Sequence, residues 1–394
     1  MGRGVFNSLN KEVETFSLQT YSSSANTFNI QVITKDTTDR VLWLLGDGTQ
    51  YKAGNNLSYV YSDNGIVKTV KLLIPKLKRV INFVAQNQKL IGNLDASGLI
   101  GMTSNSNFFI DSNPQLTGFT QPNVTTNIRQ FSFSSCNIIG NLNLSNVIIG
   151  STSLLGGTLQ GAFNTNLTGI TQSPSNLLIT NYNFNGCDLT GTLDVSNLTK
   201  LSGSFLVGFN SNLTGITHTA STSTTNITAY NISSCNIQNT HDISMLNTFG
   251  GLSSISPGYF NCNSNTNLTN VLLPNVDSFF RNLSNVESSS AFAMYSCNLG
   301  YVDFKPLSGS TFISGLTQGL PRITLRDNGM STTDVNHILV DFSGNATNNP
   351  TGWSNINLNI GGTNSDPDSS SGGYDGLSAI ATLTGSPYNW VITY

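Results

Sequence analysis

Residues 184–196 read FNGCDLTGTLDVS, and three relatives stand elsewhere: FSSCNIIGNLNLS at 133–145, ISSCNIQNTHDIS at 232–244 and MYSCNLGYVDFKP at 294–306. A cysteine that returns in a fixed frame is a metal ligand, a disulfide partner, a nucleophile or a rung of a repeat. The residues upstream decide. They align without gaps as Ile128-x-x-Phe131-x-Phe133-x-x-Cys136-x-Ile138, Ile179-x-x-Tyr182-x-Phe184-x-x-Cys187-x-Leu189 and Ile227-x-x-Tyr230-x-Ile232-x-x-Cys235-x-Ile237. A fourth copy runs through Phe292, Met294, Cys297 and Leu299, with Ser289 at its first position. Leu320-x-x-Ile323-x-Leu325-x-x-Asn328-x-Met330 carries Asn in the Cys slot, and Val80-x-x-Phe83-x-Ala85-x-x-Gln88-x-Leu90 carries Gln.

A looser unit is interleaved with the first. Phe108, Ile110, Asn113 and Leu116 share a frame with Leu159, Gly161, Asn164 and Leu167. The same frame returns at Phe205, Val207, Asn210 and Leu213, and at Phe260, Cys262, Asn265 and Leu268, each followed by a variant of LTGIT. The slot residues are therefore Gln88, Asn113, Cys136, Asn164, Cys187, Asn210, Cys235, Asn265, Cys297 and Asn328, with steps of 25, 23, 28, 23, 23, 25, 30, 32 and 31. The pattern L-x-x-L-x-L-x-x-N/C-x-L resembles leucine-rich repeats. It predicts about ten coils over 76–330, each giving one short strand to a parallel β stack with a rise of about 4.8 Å. The resemblance implies a right-handed solenoid. The slot residue turns inward after its strand, where an amide can satisfy backbone groups left open by the bend. Returns rich in Gly, Ser and Thr are expected to be irregular or 3₁₀.

Residues 25–75 differ in kind. FNIQVIT and SYVYS alternate apolar and polar residues between the turns at 46–48, 54–56 and 63–65. Trp43, Gly46, Asp47, Gly48, Thr49 and Tyr61 match the Trp-x-Phe-Gly-Asp-Gly-Thr core and later Tyr of a PKD domain, with Leu45 in place of Phe. The stretch resembles that family, which implies a small immunoglobulin-like β-sandwich. Residues 1–24 are then an N-terminal arm, and 331–394 a cap closing the last coil. In the cap, Val335, Ile338, Leu339 and Phe342 lie at helical spacing behind Ser331 and Asp334, a capping-box pair. One helix is expected there, with 362–376 as a Gly/Ser/Asp-rich loop. This closing unit resembles those of leucine-rich-repeat-like proteins from Bacteroidota and their phages. The chain as a whole is expected to be mainly β.

Composition narrows the function. Charged residues are only 9 % of the 394, the formal net charge is −3, and eleven of the 17 Lys and Arg lie in residues 1–89. No basic stripe for a phosphate backbone follows, so no nucleic-acid partner is expected. The cluster of Lys76, Lys78, Arg79 and Lys89 is read as a solvated strand end. No apolar run is long enough to span a bilayer, and the first residues carry no secretory core. Low-complexity polar chains can be disordered, but 38 % hydrophobic residues at regular spacing favour a fold with a thin core.

Chemistry is sparse. His218, His241 and His337 lie in unrelated frames, and His337 falls on the polar side of the closing helix, as a surface residue. Cys136, Cys187 and Cys235 sit on every second coil, nearly 10 Å apart, too far for a zinc site or a disulfide. Cys262 is read as one more buried thiol. For a glycosidase pair, Asp188 and Asp194 lie on the turn and the return of one coil and Asp242 two coils later is too far, which leaves only a site across coils as the enzyme alternative. Asp366, Asp368 and Asp375 form an acidic loop without EF-hand spacing, read as a solvated loop with calcium binding as the alternative. No cofactor and no metal are expected. Asn-x-Ser/Thr triplets, such as that at Asn166, follow from the repeat composition.

These readings converge on a non-enzymatic structural and adhesive protein of a phage virion, of tail-fibre, receptor-binding or capsid-decoration type. Its N-terminal region would dock on other virion proteins, and its polar, uncharged solenoid would meet host-surface glycans or proteins, with assembly as a homo-oligomer. A bacterial cell-surface or secreted adhesin is the first alternative, and a capsule depolymerase the second.

Overall fold

Period-2 alternation builds the first strands. In a computed structural model, which describes residues 14–36, 41–53, 56–74, 76–77, 80–150, 156–176, 178–196, 198, 200–218, 223–244, 259–274, 292–309 and 322–394, they are β1 (Glu14–Tyr21), β2 (Phe28–Thr34), β3 (Val41–Leu44), β4 (Gln50–Ala53), β5 (Asn56–Tyr59), β6 (Val67–Ile74) and β7 (Val80–Val84). Residues 1–13, Gly54, Asn55, Lys78, Arg79, Arg281, Ser289 and Leu320 lie outside the described residues. Two compact units make up the chain, Met1–Ile179 and Thr180–Tyr394.

In the first unit, β4, β3, β6 and β1 form an antiparallel sheet in that order. Residues 14–21, assigned to the arm on sequence, pair with β6 along their whole length, because Phe16, Leu18 and Thr20 alternate inward. Trp43, Leu45 and Tyr61 are buried, and the Tyr61 hydroxyl donates to the Leu45 carbonyl at 3.0 Å. The turn between β3 and β4 explains its own sequence. Asp47 accepts from the Thr49 N–H at 2.9 Å and from the Tyr59 hydroxyl at 2.8 Å. Gly46 has φ +77°, and a Cβ there would stand 2.7 Å from the Thr69 carbonyl oxygen, so only glycine fits. Gly48, at φ +91°, completes the reversal.

The β2 strand pairs antiparallel with β5 on one side and with β7 on the other. β7 is the first strand of a β-solenoid. From it the sheet continues in parallel through Asn107–Phe109, Gln130–Ser132 and Gly157–Gln160. A sheet edge needs a cover, and here the N-terminal strands supply it. In the second unit the order is Ile179–Asn183, Lys200–Leu206, Ser223–Asn231, Tyr259–Asn261, Phe292–Ala293, Arg322–Thr324, Asn357–Asn359 and Val391–Thr393.

Each coil points the same position inward, so large side chains meet themselves. Tyr182, Phe205, Tyr230, Phe260 and Phe292 form a stacked spine with centroids 5.2, 5.0, 5.5 and 5.1 Å apart. In the first unit Phe83 stacks on Phe108 at 5.2 Å, and Phe108 meets Phe131 edge to face at 5.3 Å. Such pairs contribute beyond their buried area, at about 0.5–1.5 kcal/mol each.

The returns differ from expectation. They carry a second set of short parallel strands rather than irregular or 3₁₀ segments: Ile91–Asp95 with Gln115–Thr120, Gly140–Leu144 with Leu167–Gln172, Gly191–Asp194 with Leu213–Thr217, and Asn239–Asp242 with Leu268–Leu272. The LTGIT motif is the reason. Its Leu packs inward, and its Gly sits at a β-bulge beneath a polar side chain of the preceding coil. At Gly169 a Cβ would come 2.7 Å from Asn141 Oδ1, while Asn141 Nδ2 donates to Thr171 Oγ1 at 2.9 Å. These pairings always join a Gln- or Cys-slot coil to the Asn-slot coil after it. The structural repeat is thus a pair of coils.

The cap also departs in part. Helix α1 (Thr332–Asn348) starts with the capping box of Ser331 and Asp334 and buries Val335, Ile338, Leu339 and Phe342. Ser331→Ala should lower the unfolding free energy by about 1 kcal/mol, measured by urea titration. A second helix, α2 (Gly376–Thr384), follows where one helix was expected. Asp375 accepts from the Ser378 N–H at 2.9 Å as its N-cap, and the small residues of GLSAIATLT tolerate close packing on α1. Moreover, the sheet does not end at residue 330. Asn357–Asn359 and Val391–Thr393 add two more parallel strands.

Candidate functional site

The bend after each main-sheet strand is built the same way. The residue before the slot adopts a left-handed conformation, with φ between 53° and 65° at Asn87, Ser112, Ser135, Phe163, Gly186, Phe209, Ser234, Ser264, Ser296 and Asp327. At every slot but Gln88 that reversal turns the next side chain into the core. Asn113, Asn164, Asn210 and Asn265 are fully buried there, and Asn328 nearly so.

Each of these amides spans two coils. Asn210 Nδ2 donates to the carbonyls of Val207 on its own coil (2.7 Å) and Phe184 on the preceding one (3.0 Å), and Oδ1 accepts from the Leu189 N–H at 3.0 Å. Asn164 binds Gly161 O, Phe133 O and Ile138 N in the same way, and Asn265 binds Cys262 O, Ile232 O and Ile237 N. Asn113 bridges Ile110 O, Ala85 O and Leu90 N, and Asn328 bridges Leu325 O, Met294 O and Cys297 N.

The cysteines reach less far. Cys136, Cys235 and Cys297 each direct a thiol to one carbonyl of the preceding coil, at 3.1, 3.4 and 3.2 Å, and that carbonyl is already held by the preceding Asn. All five cysteines, Cys187 and Cys262 included, are buried and none is in a disulfide. Burial pushes the Cys136 thiol up to about 12 and that of Cys235 to about 11. Neither is a thiolate nucleophile. Gln88 does not turn inward: its Nε2 donates to the Gln86 carbonyl and its Oε1 accepts from the Asn29 N–H of β2. One slot residue escaped the frame altogether. Asn364 is buried and bridges Ile360 O, Leu325 O and the N–H groups of Asn328 and Met330. An extra residue after Ile360 puts it out of register with its sisters.

The outer edge of these bends is the exposed side of the motif. Gly, Asn and Asp accept the left-handed conformation most readily and Ser is at least small, whereas a bulky side chain is an outlier there, strained by roughly 1–2 kcal/mol. Phe163 (φ 60°) and Phe209 (φ 59°) are those outliers, and they are 63 % and 58 % exposed. Three residues beyond each stands an exposed Asn. Asn166 Nδ2 donates to Asn137 Oδ1 at 2.6 Å, and Asn212 Nδ2 donates to Asp188 Oδ1 at 2.7 Å. Asn267 and Asn236 repeat the pair at 2.7 Å on the coil that carries Ser264 instead of Phe.

A set of carboxylates and amides holds the chain locally. Asp95, Asn143, Asp194 and Asp242 occupy one frame, and each accepts from the N–H two residues on, at 2.8–3.0 Å. The Ser196 hydroxyl and N–H hold the Asp194 carboxyl below its ordinary range, the opposite of what a general acid needs. In the 362–376 segment, Asp368 accepts from Ser370 N, Ser371 N and Asn336 Nδ2, and Asp375 caps α2. Among the described residues no group of three or more His, Cys, Asp or Glu is placed to hold a metal ion, and none of the described helices is long and apolar enough to cross a membrane.

Two histidine clusters were not foreseen. His337 is on the polar side of α1, yet its ring is clamped between Tyr301 and Tyr374, with centroids 3.7 and 3.8 Å away. Beside it, the buried Asp341 accepts from the Tyr301 hydroxyl at 2.7 Å and lies 3.4 Å from Lys305 Nζ. With both ring faces covered, the cluster ties the helix to the last coils. His218 and His241 meet across one hydroxyl. Tyr230 Oη lies 2.9 Å from His218 Nε2 and 2.8 Å from His241 Nε2. A hydroxyl donates to one ring and accepts from the other, so all three groups are satisfied with both rings neutral.

No family model, no curated protein and no solved structure matches the chain.

Proposed function

We propose that this chain is a non-enzymatic adhesive and structural protein that presents the outer bends of its solenoid to glycans or proteins of a cell surface. The observation that carries this reading is the exposed amide edge. In the second unit Asp188 with Asn212 and Asn236 with Asn267 place paired, mostly uncharged hydrogen-bonding groups at one frame position of successive coil pairs, and in the first unit Asn137 with Asn166 occupies the same frame position. Planar amides match vicinal hydroxyls as donor and acceptor at once. A repeating array of them favours a repeating ligand, and binding energy then accrues by multivalency rather than from one deep pocket.

The setting we propose is a phage virion, as a tail-fibre, receptor-binding or decoration protein, with a homo-oligomeric assembly. The N-terminal strands, read as a PKD-like, immunoglobulin-like sandwich around Trp43, Gly46, Asp47, Gly48 and Tyr61, would dock on neighbouring virion proteins. A right-handed leucine-rich-repeat-like path for the coils belongs to the same reading. Mass spectrometry of purified particles should find the chain, and the purified protein should bind host envelopes without releasing reducing sugar. Recovery from the bacterial surface and not from particles would favour a cellular adhesin. Release of sugar that is lost in Asp194→Asn would overturn the non-enzymatic reading.

A further inference from the structure

An exposed phenylalanine on a protein surface is ordinary. Phe163 and Phe209 are not, because they stand in a left-handed bend where every sister coil has a small residue, Ser, Asn, Asp or Gly. Within its unit, Phe209 lies between Gly186 (φ 65°) and Ser234 (φ 53°) at the same frame position, joined through the bonds Gly186 N–H to Gly208 O (3.0 Å) and Phe209 N–H to Ser233 O (2.7 Å). Phe163 follows Ser135 (φ 55°), whose N–H donates to the Ala162 carbonyl at 2.8 Å. Small neighbours flank the ring, and each residue is more than half exposed. Core packing therefore does not account for either ring, and the backbone is strained to hold them out. Strain maintained at an exposed position points to a use there.

Resting on the adhesive reading above, we infer that Phe209, and independently Phe163, are stacking platforms for a pyranose ring of a neutral polysaccharide. An aromatic face takes the apolar C–H face of a sugar. Beside it, Asn212 paired with Asp188, or Asn166 paired with Asn137, offers donors and acceptors to the hydroxyls at the ring's edge. The coil with Ser264 keeps the amide pair, Asn267 with Asn236, without the ring, and so is a weaker subsite of the same kind. A second copy of the chain is the competing occupant of the rings.

The test uses the full chain in affinity electrophoresis through gels containing dextran, mannan or laminarin, with host envelopes as a separate pull-down. Retardation by at least one polysaccharide is expected, with the dissociation constant raised at least tenfold in Phe209→Ser and in Phe163→Ser, and preserved in Phe209→Trp. Serine is the residue of the sister bends, so both Ser variants should keep or raise the urea midpoint. Retardation unchanged in both Ser variants overturns the platforms and leaves the adhesive reading standing. So does envelope binding without retardation by any of the three polysaccharides. Loss of self-association in the Ser variants by sedimentation, without a change in retardation, assigns the rings to a second copy and also overturns the inference. Failure to bind either polysaccharide or envelopes overturns both.

Discussion

Asn210→Ala is expected to lower the unfolding free energy of the second unit by about 3–5 kcal/mol, one of the largest losses any single side chain here can cause. Truncation removes the acceptor of the Leu189 N–H and the donor to the Phe184 carbonyl, and both backbone groups stay buried. Each buried group left without a partner costs about 1–3 kcal/mol. The side chain belongs to two coils at once, so its loss uncouples them, and in a repeat array stability is a sum of coil and interface contributions. Cys235→Ala removes one weakly bonded thiol, whose carbonyl partner Val207 keeps its bond from Asn210, and should cost only about 1 kcal/mol. Urea titration followed by tyrosine fluorescence or circular dichroism decides the matter. Equal midpoint shifts in Asn210→Ala and Cys235→Ala would show that the amide does not clamp the coil pair.

That contrast also explains how far the chain could be read before its structure. The frame L-x-x-L-x-L-x-x-N/C-x-L reports which side chains turn inward, because the strand period and the bend are local. It places Asn113, Asn164, Asn210, Asn265 and Asn328 on the inside, and the structure finds them buried. It does not report what a side chain meets on the next coil, which depends on the length and path of the return. Asn364 was lost to one extra residue. The strands of the LTGIT returns were lost because Gly and Thr read as loop, when the Gly is there to admit the preceding coil's Asn. Helix α2 was hidden by its start, since Asp375 and Gly376 continue a Gly/Ser/Asp-rich stretch until Leu377. The strained rings of Phe163 and Phe209 had no signal except their departure from Ser, Asn, Asp and Gly at one position.

His218 and His241 are 23 positions apart along the chain and share no frame, yet the solenoid brings both to Tyr230, and this makes the protein acid-sensitive. Burial pushes the His218 imidazole down to about 4 and that of His241 to about 3, with Asp242 opposing the shift in both and Cys235 and Cys262 lying nearby as neutral thiols. The sign follows from proton counts. Below about 6.5 the unfolded chain protonates these rings while the folded one does not, so stability is complete above that pH and falls as pH drops towards 4 and then 3. Each ring contributes a slope of at most about 1.4 kcal/mol per pH unit. His241 is almost wholly buried and His218 only partly so, which makes about 3 kcal/mol between pH 6.5 and 4.5 the reasonable expectation for the pair. Carboxylates add their own loss at lower pH, so the comparison must be internal. His218→Gln combined with His241→Gln keeps hydrogen-bonding groups beside Tyr230 but removes the titration. Urea midpoints at pH 7.5, 6.5, 5.5 and 4.5 should fall steeply in the wild type and much less in the double variant. Parallel curves would mean that the rings are hydrated or already charged at neutral pH, and that the Tyr230 hydroxyl does not hold them neutral.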